Sequence, residues 1–256
     1  MNQKNFEYLK EQVKFAGFGE SLHQQLQENM HKQLPEFALQ HQARFGGDQI
    51  SSWLHFKKSA SSELYFFNSY LASLKNQDQT QKINHLFSTN HPGSFTLKEA
   101  FNLLQGRAVE KQLVNGDGKR YRAWLQMDFK QTELNGNFKI RQFHTSYGYD
   151  LEKSLAKLSL RELAEPDSKS RLLDSLRKGN RQQVTLIDGP KQHKLFVEAS
   201  PQFKAIIVYD QNAVRQQIQQ VTQKQSQQIS NQTTVMHAQQ SVLNTDKDRQ
   251  QGLSIG

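Results

Sequence analysis

In the first part of the chain, the spacing between apolar residues changes from three or four positions to two. Apolar residues recur every three or four positions over 4–17 and again over 20–34, which predicts two amphipathic helices. From Phe37 onward apolar and polar residues alternate, as they do in a half-buried strand. Two further apolar segments follow at 53–56 and 64–70. The pattern therefore predicts two helices followed by a three-stranded antiparallel meander.

The strongest helix signal lies at the start of the next segment. Thr96 and Glu99 have the spacing of a capping box, and Gly106 follows as a stop. Three alternating segments come next, joined by two Asn-Gly turns, which are the strongest short hairpin signal. These predicted strands are residues 107–114, 119–129 and 137–144.

The same order of helix and strands returns in the last part of the chain. The predicted elements are helices at 150–157 and 167–178 and strands at 182–187, 191–199 and 203–209. Together with units near 20–70 and 96–144, they form a coarse repeat. The predicted fold class is α+β, made of repeated units of a helix and a three-stranded antiparallel meander, with a polar, Gln-rich C-terminal tail.

Changes in composition divide the chain into four predicted parts. Residues 1–75 are an N-terminal helical and β-meander domain, and the polar residues 76–93 are a linker. Residues 94–212 are an α+β domain of helix–hairpin units, and 213–256 are the tail. Because the tail has no aromatic residue and few apolar ones, it is predicted to be partly helical and then disordered.

Composition and missing motifs exclude several classes of function. The 256 residues include no Cys, which excludes disulfides, thiolate metal sites and cysteine nucleophiles. The chain has no Gly-x-Ser-x-Gly or His-Glu-x-x-His motif, and 116–119 lacks the spacing of a phosphate-binding loop. Without a signal peptide or a long apolar run, a cytoplasmic protein with no cofactor, metal or membrane contact is expected. The formal net charge of +9 favours a polyanionic partner.

The candidate site is the polar face of the predicted strands 119–129 and 137–144. Alternation places apolar side chains on the core face and cations with two aromatic residues on the opposite face. Cations that contact phosphates beside aromatics that stack on bases are typical of single-stranded nucleic-acid binders. The alternative is an ordinary solvated face, or one covered by another helix. The predicted nucleic-acid-binding residues are Arg107, Lys111, Arg120, Arg122, Trp124, Lys139, Arg141 and Phe143.

Several segments of the chain resemble a known but uncharacterised domain family. Those that carry the resemblance are residues 5–10, 17–19, 65–70, 100–113, 121–129, 142–151, 178–185 and 198–204. The family is common in proteins carried by Bacteroidetes mobile and conjugative elements, and the resemblance covers about residues 1–212. It implies a setting of DNA mobility, with relatives sometimes fused to or encoded near topoisomerase-like proteins, and it implies no catalytic residue.

Three hypotheses of function follow from these observations. The first is a non-enzymatic accessory protein of a mobile genetic element that binds DNA or RNA through the basic and aromatic sheet face. The second is a protein–protein adaptor of DNA transfer or processing machinery, which would bind another protein of the element through the same face or through exposed sheet edges. The third is a Mg²⁺-dependent nuclease that would use Glu110, Asp128 and Lys130.

Overall fold

The computed structural model describes residues 1–75 and 82–216. These residues form five α-helices and eleven strands, and the strands lie in three antiparallel sheets, which confirms the predicted α+β class. Each sheet is a meander in which neighbours in sequence pair with one another. None of the helices in the described segments has the length and apolar character needed to cross a membrane.

The N-terminal part consists of two helices followed by a four-stranded sheet. Its elements are α1 (Gln3–Val13), α2 (His23–His31), β1 (Glu36–Phe45), β2 (Asp48–Lys58), β3 (Tyr65–Lys75) and β4 (Ile83–Ser88). Helix α1 begins where the side chain of Asn2 accepts a hydrogen bond from the main-chain N–H of Asn5. A π-helical turn follows α1 and contains Gly17 with a φ of 91°, a left-handed conformation that favours glycine.

Strand β4 corrects the predicted linker at 76–93. It pairs antiparallel with β3 over its whole length, so residues 83–88 belong to the sheet. Its side chains alternate, with His85 and Phe87 buried and Asn84, Leu86 and Ser88 exposed. The sequence did not show this alternation of apolar and polar residues, because a polar residue, His85, occupies one of the buried positions. Residues 76–81 of the predicted linker lie outside the described residues.

Helix α3 (Leu97–Leu104) begins with the predicted capping box. The hydroxyl of Thr96 accepts a hydrogen bond from the main-chain N–H of Glu99, whose carboxylate accepts one from the N–H of Thr96. The apolar side of α3 packs against the N-terminal sheet, with the Phe101 ring 4.8 Å from that of Phe45. One hydrophobic core extends from Phe6 to Met127. The predicted boundary between the N-terminal domain and the following one is therefore wrong.

The remaining strands form a three-stranded and a four-stranded sheet. The first consists of β5 (Val109–Val114), β6 (Arg120–Thr132) and β7 (Phe138–His144). The elements after it are α4 (Leu151–Leu155), α5 (Pro166–Arg177), β8 (Gln182–Asp188), β9 (Lys191–Ser200), β10 (Ala205–Tyr209) and β11 (Arg215–Gln216). The repeated helix-and-meander order is present, but the first and last sheets have four strands rather than three. Strand β11 lies in the predicted tail, whose residues 217–256 are outside the described ones.

The chain forms two compact units that are not contiguous in sequence. One contains residues 1–150, 173–180 and 198–205, and the other contains 151–172, 181–197 and the described residues from 206 onward. The predicted domain at 94–212 is thus shared between the two units. Local composition gives no signal for this division, because no Pro-, Gly- or Ser-rich segment marks the points where the chain changes unit.

Acidification is expected to destabilise the protein through His85. Burial lowers the pKa of this imidazole to about 4 from its usual 6.5, and its Nδ1 has no hydrogen-bond partner in the described part of the chain. Between these two pH values the unfolded chain binds more protons than the folded one. The free energy of unfolding should therefore fall by up to about 3 kcal/mol as the pH falls from 6.5 to 4.

Urea unfolding of the wild type and of His85→Leu at several pH values measures this contribution. The variant has no imidazole to protonate, so its stability should decline less over the same interval. An equal decline in both proteins would assign the acid sensitivity to other groups.

Candidate nucleic-acid interface

The register of the three-stranded sheet decides which face each predicted site residue occupies. Ala123, Leu125 and Met127 of β6 are buried in the core, so the residues that alternate with them lie on the opposite face. Pairing with β5 and β7 extends this set across the sheet. We call it the outer face; it consists of Glu110, Gln112, Val114, Arg120, Arg122, Trp124, Gln126, Asp128, Lys139, Arg141 and Phe143.

Four of the predicted cations are exposed on the outer face. They are Arg120 and Arg122 at one end and Lys139 and Arg141 at the other. The Arg122 side chain is 67% exposed. Arg141 lies opposite Gln126, so the nearest members of the two pairs, Arg122 and Arg141, are about 13 Å apart along β6. Polyanion binding by these four residues remains a prediction.

The two predicted aromatic residues lie on the outer face but are buried. Trp124 and Phe143 are directly opposite each other, with exposed fractions of 5% and 6%. The Trp124 ring packs edge-to-face against Tyr149, and Phe143 packs in the same way against Tyr147. Neither ring offers a free surface to a base, which opposes the predicted stacking role of these two residues.

The segment after β7 covers the middle of the outer face. It supplies Tyr147 and Tyr149, and burial beside Trp124 raises the pKa of the Tyr149 hydroxyl. The Tyr147 hydroxyl donates a hydrogen bond to the carbonyl of Gln202 at 3.1 Å, and the Lys204 ammonium lies 4.6 Å from the Tyr147 ring centroid. The outer face is therefore covered in its centre and exposed to solvent at its two ends. The sequence pattern allowed either a solvated face or a covered one, and each description applies to part of this face.

Arg107 and Lys111 do not join the exposed cations. Lys111 lies opposite Ala123, on the core side of the sheet, and its ammonium is 2.8 Å from the Glu99 carboxylate. The Arg107 side chain is only 13% exposed, and its guanidinium donates a hydrogen bond to the Asn102 side chain at 2.6 Å. Both cations already have internal partners, which opposes their predicted contact with phosphates.

A cleft adjoins the Arg122 end of the outer face. Glu110 lies between two arginines, 3.9 Å from the Arg122 guanidinium and 3.4 Å from that of Arg177. The cleft has a volume of about 330 Å³ and is lined by Glu99, Glu110, Lys111, Gln112, Arg122, Asp174, Arg177 and Lys178. Arg177 and Lys178 come from the end of α5, far away in sequence. No local pattern could have indicated them as neighbours of Arg122.

The residues of the nuclease hypothesis do not come together. Glu110 lies opposite Trp124, whereas Asp128 is four residues farther along β6, about 13 Å away. Two carboxylates at this separation cannot bind one Mg²⁺, whose oxygen ligands lie about 2.1 Å from the ion. Asp128 is instead opposite Lys139. Among residues 1–75 and 82–216 no group of three or more His, Asp and Glu side chains could hold a metal ion.

Comparisons with protein-family models, with curated proteins and with solved structures found no match for this chain.

Proposed function

We propose that this chain is a non-enzymatic nucleic-acid-binding protein that contacts phosphates through the exposed cations of the outer face. The observation that supports the proposal is the placement of Arg120, Arg122, Lys139 and Arg141 on one face of one sheet. The surrounding residues 107–144 contain eight Lys and Arg against four Asp and Glu. This excess of positive charge attracts a polyanion and favours association.

The buried aromatic residues determine the mode of binding that we propose. Without exposed rings on the outer face, bases have no stacking platform there, and the remaining contacts go to the backbone. Phosphate contacts position a protein on nucleic acid but carry no direct sequence information. We therefore infer binding that depends steeply on salt and weakly on base sequence. The resemblance to proteins of Bacteroidetes mobile elements favours DNA as the partner and an accessory role in such an element.

The test is fluorescence anisotropy of labelled single-stranded DNA, duplex DNA and RNA, titrated with protein at several salt concentrations. In a plot of log Kobs against log salt concentration, four phosphate contacts should give a slope of about −4 for duplex DNA and about −3 for single strands. The double variant Arg122→Ala/Arg141→Ala should lose affinity and about half of this slope, because each lost contact removes about one released counterion.

The matched control is Lys4→Ala/Lys32→Ala, which removes two exposed cations from the helical part of the chain. It lowers the net charge by the same amount but leaves the outer face intact, so its affinity should stay close to that of the wild type. An equal loss in both double variants would show that binding follows net charge rather than this face. Absence of binding at about 50 mM salt would overturn the proposal, since low salt favours counterion release most.

The adaptor hypothesis predicts a different result in the same titrations. An adaptor would leave the anisotropy of all three nucleic acids unchanged and would bind an acidic protein instead. Its affinity for that protein would also fall with salt concentration, because salt screens the ion pairs between the two proteins. This decrease should be smaller than the decrease in affinity for nucleic acid. The titrations with nucleic acid therefore come first.

A further inference from the structure

Neither edge of the N-terminal sheet pairs with a further strand of the described chain, and one of the two edges is long. This edge is β1, which is ten residues long and pairs with β2 over all of them without a bulge. Folded proteins protect edge strands with Pro, Lys, bulges or short length, because unpaired main-chain groups invite another strand. Strand β1 has none of these features.

The opposite edge of the same sheet is protected. Strand β4 has only six residues, and the side-chain amide of Asn137 binds its edge. The main-chain N–H of Leu86 donates to Asn137 Oδ1 at 2.9 Å, and Asn137 Nδ2 donates to the carbonyl of Leu86 at 3.1 Å. Asn137 thus makes the two hydrogen bonds that an added strand would make with the main chain of Leu86. The contrast singles out β1 as the edge open to strand addition.

The register with β2 shows which residues of β1 present main-chain groups at the free edge. The N–H of Lys58 donates to the carbonyl of Pro35, which continues the pairing of Glu36 with Lys57. In an antiparallel pair the residues that hydrogen bond to the partner alternate with residues that face away from it. The odd-numbered residues of β1 therefore bond to β2, and the even-numbered residues from Glu36 to Arg44 face the free edge.

We propose that a second copy of this chain pairs with β1 in antiparallel orientation, with the two-fold axis at Gln40. In this register Glu36 lies opposite the partner's Arg44, and by symmetry Arg44 lies opposite the partner's Glu36. Both side chains are exposed, and neither forms an ion pair within the part of the chain that the structure describes. Registers shifted by two residues lose both charge pairs.

The other face of the strand also fits this register. Phe37 and Ala43 are only partly buried although both pack against the core. The proposed pairing places Phe37 opposite the partner's Ala43, which removes apolar surface from water on both sides of the axis. The product is one continuous sheet across two copies, a self-complementary interface of the kind that two-fold dimers use.

Sedimentation velocity over a range of concentrations tests the proposal. The wild type should show a reversible monomer–dimer equilibrium. Glu36→Arg places arginines opposite each other at both ends of the interface, and Arg44→Glu does the same with glutamates. Each single variant should weaken dimerisation about tenfold or more, because two attractive cross-strand pairs become repulsive.

An equimolar mixture of the two variants is the decisive sample. In a mixed dimer every arginine faces a glutamate, so the mixture should dimerise about as tightly as the wild type, whereas each variant alone dimerises more weakly. Lys32→Glu changes the net charge as much as Arg44→Glu but lies outside β1, and it should dimerise like the wild type. A wild type that remains monomeric up to about 1 mM, or a mixture that stays monomeric, would overturn the proposal.

Discussion

Trp124→Ala is expected to lower the free energy of unfolding by about 3–5 kcal/mol, as large-to-small substitutions of buried aromatic residues do. Trp124 is 5% exposed, and its ring contacts Tyr149 at a centroid distance of 5.5 Å. Truncation would leave a cavity between β6 and the segment that covers it. Urea unfolding followed by circular dichroism measures the loss.

Trp124→Phe separates this packing role from a role in binding bases. Phenylalanine keeps an apolar ring between β6 and Tyr149, so most of the stability should remain. If binding uses phosphates alone, the affinity of this variant for single-stranded DNA should match that of the wild type. A folded Trp124→Phe protein with greatly weakened binding would instead support base stacking by Trp124, which the buried position of the ring opposes.

Elements whose signals are local could be predicted from the sequence. The capping box at Thr96 and Glu99 marks the start of α3, and the two Asn-Gly turns mark the connections of the three-stranded sheet. These signals depend on residues a few positions apart, whose hydrogen bonds form wherever the segment is placed. Strand β4 was not predicted, because its alternating pattern is short and one of its buried positions is a histidine.

The candidate site could be predicted only in part, because alternation assigns a residue to a face but does not show what covers that face. The pattern placed Arg122, Trp124 and Phe143 together, and the register agrees. Arg122 is exposed whereas Trp124 and Phe143 are buried, because Tyr147 and Tyr149 pack against these two rings in the middle of the sheet. Lys111 was assigned to the wrong face. Its charge suggested an outward position, whereas the register places it on the core side of the sheet, where it pairs with Glu99.

Gly179→Ala is expected to lower the free energy of unfolding by about 2–5 kcal/mol through two separate effects. Gly179 follows α5 with a φ of 77°, a left-handed conformation that costs an L-residue about 1–2 kcal/mol. A Cβ at this position would also lie 2.8 Å from the carbonyl oxygen of Ala108 and 2.9 Å from Val109 Cγ2. The first of these atoms belongs to the main chain, so it cannot rotate away.

The residues that flank Gly179 also prevent the segment from moving to relieve this clash. The buried side chain of Asn102 donates to the carbonyl of Lys178 at 2.6 Å and to the Asn180 side chain at 2.9 Å. Gly118→Ala is the matched control, because Gly118 has the same φ of 77° and nothing within 4 Å of its would-be Cβ. The control should lose only the conformational part, about 1–2 kcal/mol. Equal losses in urea unfolding would mean that the contact with Ala108 relaxes, whereas a larger loss at Gly179 would measure how rigidly Asn102 holds this segment.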